Sequence, residues 1–299
     1  MVRFLTSVLV AAAVGFLGGS WYFSSELIAG EVTAFPEDAE ALALEEGIAA
    51  PPETFAVVSG GVGIEGWYFE GSEDCGLVFL HGYTSNRTGV LDRVADLSDL
   101  GCHVVAFDAR GHGRSGGTFH TFGALEQRDT ELMTRWLMMR ADLDVSEIGL
   151  VGVSYGAAAA IETLDRLGAV AFVIADSPYS SVRDIATHQG VEQFGAWVGW
   201  FVDPALFLAE QRADFREQDA APVRAVTRTT VPVLLLHEIG DDYIPFAQAE
   251  AIAAAGRSVT FVPIDGGGSH ASMFDDDPVA YRAIIDDFLA DIGWRSQSS

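Results

Sequence analysis

Residues 152 to 156 read Gly152-Val153-Ser154-Tyr155-Gly156, a serine between glycines where an apolar run (Ile148 to Gly152) gives way to an alanine-rich one (Ala157 to Leu167). A turn of this kind forces its serine into a strained strand-to-helix corner and presents Oγ above a sheet. The chemistry open to such a hydroxyl is attack on a carbonyl carbon, provided a base takes its proton and a carboxylate orients the base. A nucleophile elbow places these groups in the chain order serine, acid, histidine. His188, His237 and His270 follow Ser154. His188 falls in an aromatic-rich insertion and His237 ends a strand ahead of the best acid. His270, after the glycines Gly266-Gly267-Gly268, sits on a loop able to swing over a sheet edge, which makes it the candidate base. Asp241, on the loop after the apolar run Pro232 to Leu236, is the candidate acid, with Asp242 and Asp176 as competitors. An oxyanion needs fixed N–H donors. The backbone of Tyr155, next to the serine, and of Tyr83, after His81-Gly82, are placed to supply them. His81 itself is expected to bond loop backbone.

These residues need a scaffold, and the patterning describes one. Strands are expected near 55–59, 64–70, 77–80, 103–108, 148–152, 171–175, 233–237 and 258–264, and helices near 88–99, 125–140, 155–167, 247–255 and 278–292. The central strands (LVFL, VVAF, FVIA, VLLL) are apolar throughout, as in a sheet covered on both faces. Alternation with helices implies a mostly parallel sheet in an α/β domain. The interval 178–230 breaks this rhythm and holds Phe194, Trp197, Trp200, Phe201 and Phe207 at spacings that suit one apolar helical face. A structureless loop of that length is improbable in a compact domain, so a small helical cap over the site is expected, against the alternative of an ordinary crossover helix with core aromatics.

The chain has 299 residues and a formal net charge of -26, and every one of its 17 cations is an arginine. That balance excludes a basic face for nucleic acid. It fits either a surface adapted to high salt or a merely acidic surface with an Arg-for-Lys bias. Residues 4–25 carry no charged side chain. At ~1.5 Å per residue they could span a ~30 Å hydrocarbon layer. With Arg3 before the run and Trp21, Tyr22 and Phe23 at its far end, residues 1–30 are expected to anchor the chain in a membrane with the domain outside the cytoplasm; a cleaved signal, hence secretion, is the alternative. Residues 31–54, acidic, alanine-rich and ending in Pro51-Pro52, are expected to form a stalk before a domain over 55–295.

Taken in order, LVFLHGYTSN, VVAFDARGHGRSGG, GLVGVSYGAAAA, ADSPYSS, VPVLLLHEIGDDYIP and GGGSH resemble the successive landmarks of the α/β-hydrolase superfamily. Within it, the chain most resembles the serine aminopeptidase, monoacylglycerol lipase and membrane-anchored α/β-hydrolase-domain group. The resemblance covers residues 55–292 and implies the α/β-hydrolase fold, with a mostly parallel eight-stranded sheet, helices on both faces and a small cap. It implies Ser154 as nucleophile, Asp241 as acid, His270 as base, and Tyr83 and Tyr155 as oxyanion donors. Asp108, Arg110, Gly111, His112, Gly113 and Ser115 would form an architectural loop beside the elbow. Two departures stand out: His237 is followed by Glu238 where the family has glycine, and the oxyanion position carries the bulky Tyr83. In the superfamily's strand order, Cys75 and Cys102 start neighbouring parallel strands, so a disulfide between them is expected outside the cytoplasm, with two buried thiols as the alternative. The resulting expectation is a serine hydrolase of carboxylic esters with an uncharged acyl substrate and no metal or cofactor. A peptidase, amidase or acyltransferase with the same groups, or a non-catalytic binding protein on this scaffold, are the alternatives.

Overall fold

Along Leu77-Val78-Phe79-Leu80 successive side chains leave opposite faces of the backbone, and all four are buried. Val78 and Leu80 enter one apolar cluster and Leu77 and Phe79 another. A strand with two apolar faces requires cover on both, and the computed structural model, which describes residues 2–266 and 268–294, supplies it. Among the described residues, β1 (Glu53–Ser59), β2 (Val62–Phe69), β3 (Gly76–Leu80), β4 (His103–Phe107), β5 (Ile148–Val153), β6 (Phe172–Asp176), β7 (Val233–Glu238) and β8 (Val259–Ile264) form one sheet in the order β1-β2-β4-β3-β5-β6-β7-β8. β2 pairs antiparallel with β1 and β4. The remaining pairs are parallel. This is the α/β-hydrolase fold expected from the sequence.

The helices are α1 (Val2–Ile28), α2 (Ala39–Glu45), α3 (Leu91–Asp96), α4 (Glu126–Ala141), α5 (Tyr155–Leu167), α6 (Val182–Phe194), α7 (Gly199–Ala213), α8 (Pro222–Ala225), α9 (Phe246–Ala255), α10 (Met273–Asp276) and α11 (Pro278–Asp291). α4, α5, α8 and α9 cover one face of the sheet; α2, α3 and α11 cover the other. A third apolar cluster lies above the carboxyl edge and joins Ile28 of α1 and Phe122 to Tyr155, Tyr179, Ile185, Leu206 and Ala209.

The cap interval 178–230 carries α6, α7 and α8. Its aromatics do not share one buried face. Phe194 and Phe201 line a cavity, whereas Trp197, Trp200 and Phe207 are 54%, 80% and 59% exposed. Trp200 and Phe207 lie two turns apart on α7 and so point the same way, outward, beside an Arg183–Asp203 ion pair.

The cysteines are bonded, Cys75 to Cys102 with Cα atoms 4.8 Å apart, joining the chain just ahead of β3 and β4. Two N-terminal expectations are changed. Residues 31–54 are no free stalk: Ala39, Ala43 and Ile48 are buried against the sheet, and Phe35 lies 5.9 Å from the Trp67 ring, with Arg87 and Arg114 over its own ring. The alanines that suggested a spacer are small faces packed on the domain. As for the expected membrane segment 4–25, the side chains of 4–6 and 8–10 lie outside the described residues. Among the described residues no helix is long and apolar enough to cross a membrane. The second half of α1 packs along α7 instead, with Ser20, Ser24 and Ile28, one turn apart, all buried.

Candidate active site

Ser154 caps α5 with φ 54° and ψ -115°, a backbone that only a well-braced corner holds. Two crossings make the corner. A Cβ on Gly152 would meet the backbone of Gly156, and one on Gly156 would overlap the Leu80 carbonyl of β3. The Ser154 N–H donates to Asp176 O (2.7 Å), which ties the elbow to the end of β6. Glycines are therefore required because another chain runs where a side chain would sit.

From this corner Ser154 Oγ faces His270 Nε2 at 2.8 Å, and His270 Nδ1 faces Asp241 Oδ2 at 2.7 Å. With the Nδ1–H tautomer, the imidazole donates to Asp241 and Nε2 accepts from the serine hydroxyl. Asp241 Oδ1 accepts from the N–H groups of Tyr243 and Ile244, both at 2.8 Å. Burial works to raise the carboxyl's pKa but is outweighed by the hydrogen bond and charge of His270 and by these two N–H donors, which hold it below the ordinary value. Asp242 is exposed. Asp176 is buried at the end of β6, accepts from Ser177 Oγ (3.0 Å) and faces Arg93 at 3.6 Å. Of the three carboxylates, Asp241 is the one hydrogen-bonded to His270.

Tyr83 and Tyr155 both border the cavity together with Ser154. Among the described residues, neither backbone N–H has a protein acceptor. The Tyr155 N–H opens α5 and the Tyr83 N–H follows Gly82, whose Cβ position would lie 3.8 Å from Ser154 Cβ. Both donors, and the positive end of a helix, thus flank the serine.

Beneath these loops are buried groups held in fixed roles. His81 Nδ1–H donates to Gly82 O (2.8 Å) and Nε2 accepts from the Ala109 N–H (3.0 Å), so its ring bonds loop backbone. Burial pushes its pKa down to about 4. His112 donates from Nδ1 to Arg110 O (3.0 Å), and burial, then His81 and His120, bring it down to about 3. The loop from Asp108 is architectural: Asp108 accepts from the N–H groups of Arg87 and Arg114, Arg110 makes a buried two-pronged pair with Asp129, and Ser115 Oγ donates to Asp108 O.

Three contributors escaped the sequence. Glu238, the residue that replaces glycine after His237, accepts from Ser177 Oγ (3.0 Å) and from the Met273 N–H (2.8 Å). It fastens the strand under the acid to the segment just past His270; its buried position at a strand end was the available signal. His237 donates from Nε2 to Ile244 O (2.9 Å), fixing the acid loop's turn. The third is the N-terminal segment: Phe23, Glu26, Leu27, Gly30 and Glu31 wall a cavity of about 290 Å³ above Ser154. Nothing in the sequence pointed a membrane-type helix at the serine.

A model of the Alpha/beta hydrolase family matches residues 77–284. The chain belongs to that family. An uncharacterized protein, YqkD, of Bacillus subtilis is 26% identical over 219 residues, covering 71% of this chain and 70% of its own. The lysophosphatidylserine lipase ABHD12 of Danio rerio is 26% identical over 243 residues, covering 75% of this chain and 60% of its own. Among solved structures, an esterase of Pyrococcus furiosus is similar with a TM-score of 0.68 at 22% identity, covering 87% of this chain and 97% of that one. An acylaminoacyl peptidase of Pyrococcus horikoshii, with a TM-score of 0.60 at 17% identity, covers 80% of this α/β-hydrolase and 41% of its own chain. These structural likenesses establish the shared fold.

Proposed function

We propose that the protein is a serine hydrolase of carboxylic esters working through an acyl-Ser154 intermediate. The observation that carries this is the unbroken run from Ser154 Oγ through His270 to Asp241, at 2.8 and 2.7 Å. In this reading His270 Nε2 takes the hydroxyl proton as Oγ attacks the ester carbonyl. The Tyr83 and Tyr155 N–H groups hold the oxyanion, and losing one such donor typically costs ~2.7 to 4 kcal/mol of barrier. Imidazolium then protonates the departing alkoxide, and a water activated by His270 releases the acid. Asp241 keeps the imidazole in the working tautomer and stabilises its cation. No step calls for a metal or cofactor.

The cavity supports an apolar acyl chain. Phe194, Val198, Phe201, Val202 and Leu206 line it, Glu26 and Glu31 are its only charged described side chains, and none of its described side chains is basic. A lipid ester is in keeping with the lipase named among the relatives. The cavity itself favours an uncharged ester, because Glu26 and Glu31 on its wall would repel an anionic head group and no lysine or arginine lines it among the described residues. A membrane location is part of the proposal: Val14, Leu17 and Trp21 on α1 and Trp197 and Trp200 on the cap are exposed, the sequence ahead of Val14 is an apolar run, and the Cys75–Cys102 bond suits a compartment outside the cytoplasm. Fluorophosphonate labelling tests the enzyme: the native protein is expected to label and Ser154→Ala to stay unlabelled. Labelled Ser154→Ala would remove the reading. Flotation with neutral liposomes tests the location.

A further inference from the structure

The N-terminal helix reaches the site through two sets of contacts. Along α7, a Cβ on Gly19 would meet Phe201 Cε1 at 2.6 Å, so the Phe201 ring fills the space a side chain at position 19 would take. Arg212 of α7 donates to Ser24 Oγ (3.1 Å) and Ser25 Oγ (2.9 Å) and lies 4.0 Å over the Trp21 ring. Phe23 packs 5.0 Å from Phe194 and 5.3 Å from Phe201. Beyond α1, the chain is stitched to the loops beside Ser154. Ile28 O accepts from the His120 N–H (2.8 Å), and the Thr33 N–H donates to Thr84 O (2.7 Å). Gly30 presses on Tyr83, where a Cβ would overlap Oη. The Tyr83 hydroxyl also reaches His120 Nδ1 (3.3 Å), and its ring stacks with Phe122. Tyr83 is therefore held from one side by His120 and Phe122 and from the other by Gly30.

Resting on the hydrolase reading above, we propose that residues 19–33 are an active-site element: Phe23 and Leu27 wall the acyl pocket, and Gly30 and Thr33 are positioning residues that clamp the oxyanion loop. Two consequences separate this role from simple tethering. Selection of acyl length depends on a side chain of the N-terminal helix. Turnover depends on a glycine outside the sheet, because a shift of Tyr83 moves the N–H that faces the developing oxyanion, and small displacements of such donors are costly.

The experiment uses the full chain in detergent, with p-nitrophenyl acetate and decanoate as substrates and fluorophosphonate labelling as a count of active sites. Gly30→Ala is expected to lower kcat on both esters about tenfold or more with little change in KM, and Gly30→Ala/Tyr83→Phe to return to within about threefold of Tyr83→Phe alone, since removing Oη makes room for the methyl group. Leu27→Trp is expected to cut the decanoate-to-acetate ratio of kcat/KM about tenfold or more by filling the pocket. The proposal is overturned if wild type labels and turns over while Gly30→Ala keeps its kcat, if Tyr83→Phe brings no relief, or if Leu27→Trp leaves the ratio unchanged. Wild type that neither labels nor cleaves the acetate ester overturns the hydrolase reading, and this proposal with it.

Discussion

The floor and the roof of the site are built differently. The floor is the carboxyl edge of β5, β6, β7 and β8, where each working group sits within a few residues of a buried strand end: Ser154 directly after β5, Asp241 just past β7, His270 beyond β8. Their positions follow from backbone crossings at Gly152 and Gly156 and from short loops pinned by Glu238 and His237. The roof is a pairing of α1 with α7, helices far apart in sequence, held by one arginine, small residues and ring contacts. A floor set by local chain geometry resists change until a reacting group is removed. A roof set by one helix pair can loosen without disturbing the chemistry, so its loss should read as altered selectivity before it reads as lost catalysis.

The largest effect tests whether the floor acts as a unit. Ser154→Ala and His270→Ala are each expected to lower kcat by about 10⁴-fold or more, and the double variant to be little worse; additive losses in steady-state assays would mean that the two do not work together. Next, Asp241→Asn is expected to cost about 10⁴-fold while Asp242→Asn, at an exposed carboxylate, changes kcat by no more than about twofold. A smaller effect separates stability from catalysis: Cys75→Ser/Cys102→Ser should lower unfolding free energy by roughly 3 to 4 kcal/mol in denaturant titration, by loop closure over a sequence separation of 27. Because the bond lies at the strands' amino ends, away from the site, kcat at 25 °C should hold. On the roof, Arg212→Ala removes the bonds to Ser24 and Ser25 and the stacking on Trp21, worth about 1 to 3 kcal/mol of docking. Faster limited proteolysis near residue 30 and a severalfold drop in kcat/KM for decanoate should accompany it.

The smallest expected effect lies between the two regions. Glu162 on α5 is fully buried with neither carboxyl oxygen hydrogen-bonded, and burial, then Glu126, raises its pKa well above the ordinary value. A carboxyl whose folded pKa is raised costs nothing below its unfolded pKa, where both states hold the proton. It destabilises increasingly as pH climbs from there toward the folded value, because only the unfolded state ionises freely. Glu162→Gln should therefore raise Tm at pH 8, with the gain shrinking toward pH 4; a gain that grows on acidification would show that Glu162 is charged in the fold. Asp241 has the opposite sign. Its lowered pKa stabilises the fold above the ordinary carboxylate range, and that contribution is lost on acidification below it.

The floor was legible in the sequence because its signals are local. A G-x-S-x-G after an apolar strand, a histidine after three glycines and an aspartate after PVLLL each report a strand end, and chain order links them. Asp176 and Asp242 stayed open beside Asp241 because all three follow strand ends, and only a hydrogen bond to His270 tells them apart. Glu238 read as a defect in the family pattern, although it ties the His270 loop to β6 and β7. At the N-terminus, Gly19, Ser20, Ser24 and Ser25, which in the sequence are only part of an uncharged run, are the face that packs on α7. Hydropathy scores a residue against solvent and cannot see that a small residue lets another helix come close.

The sequence by itself determined the sheet, its two covered faces and the residues at its carboxyl edge, because strand burial and turn chemistry are encoded by periodicity and by glycine within a few residues. Tertiary structure decided which carboxylate meets His270, that the alanine-rich 31–54 segment lies on the domain, and that the N-terminal segment lines the cavity above Ser154 and presses on Tyr83. Those outcomes depend on contacts between segments far apart in the chain, whose free energy comes from shape and hydrogen bonding that no local pattern records.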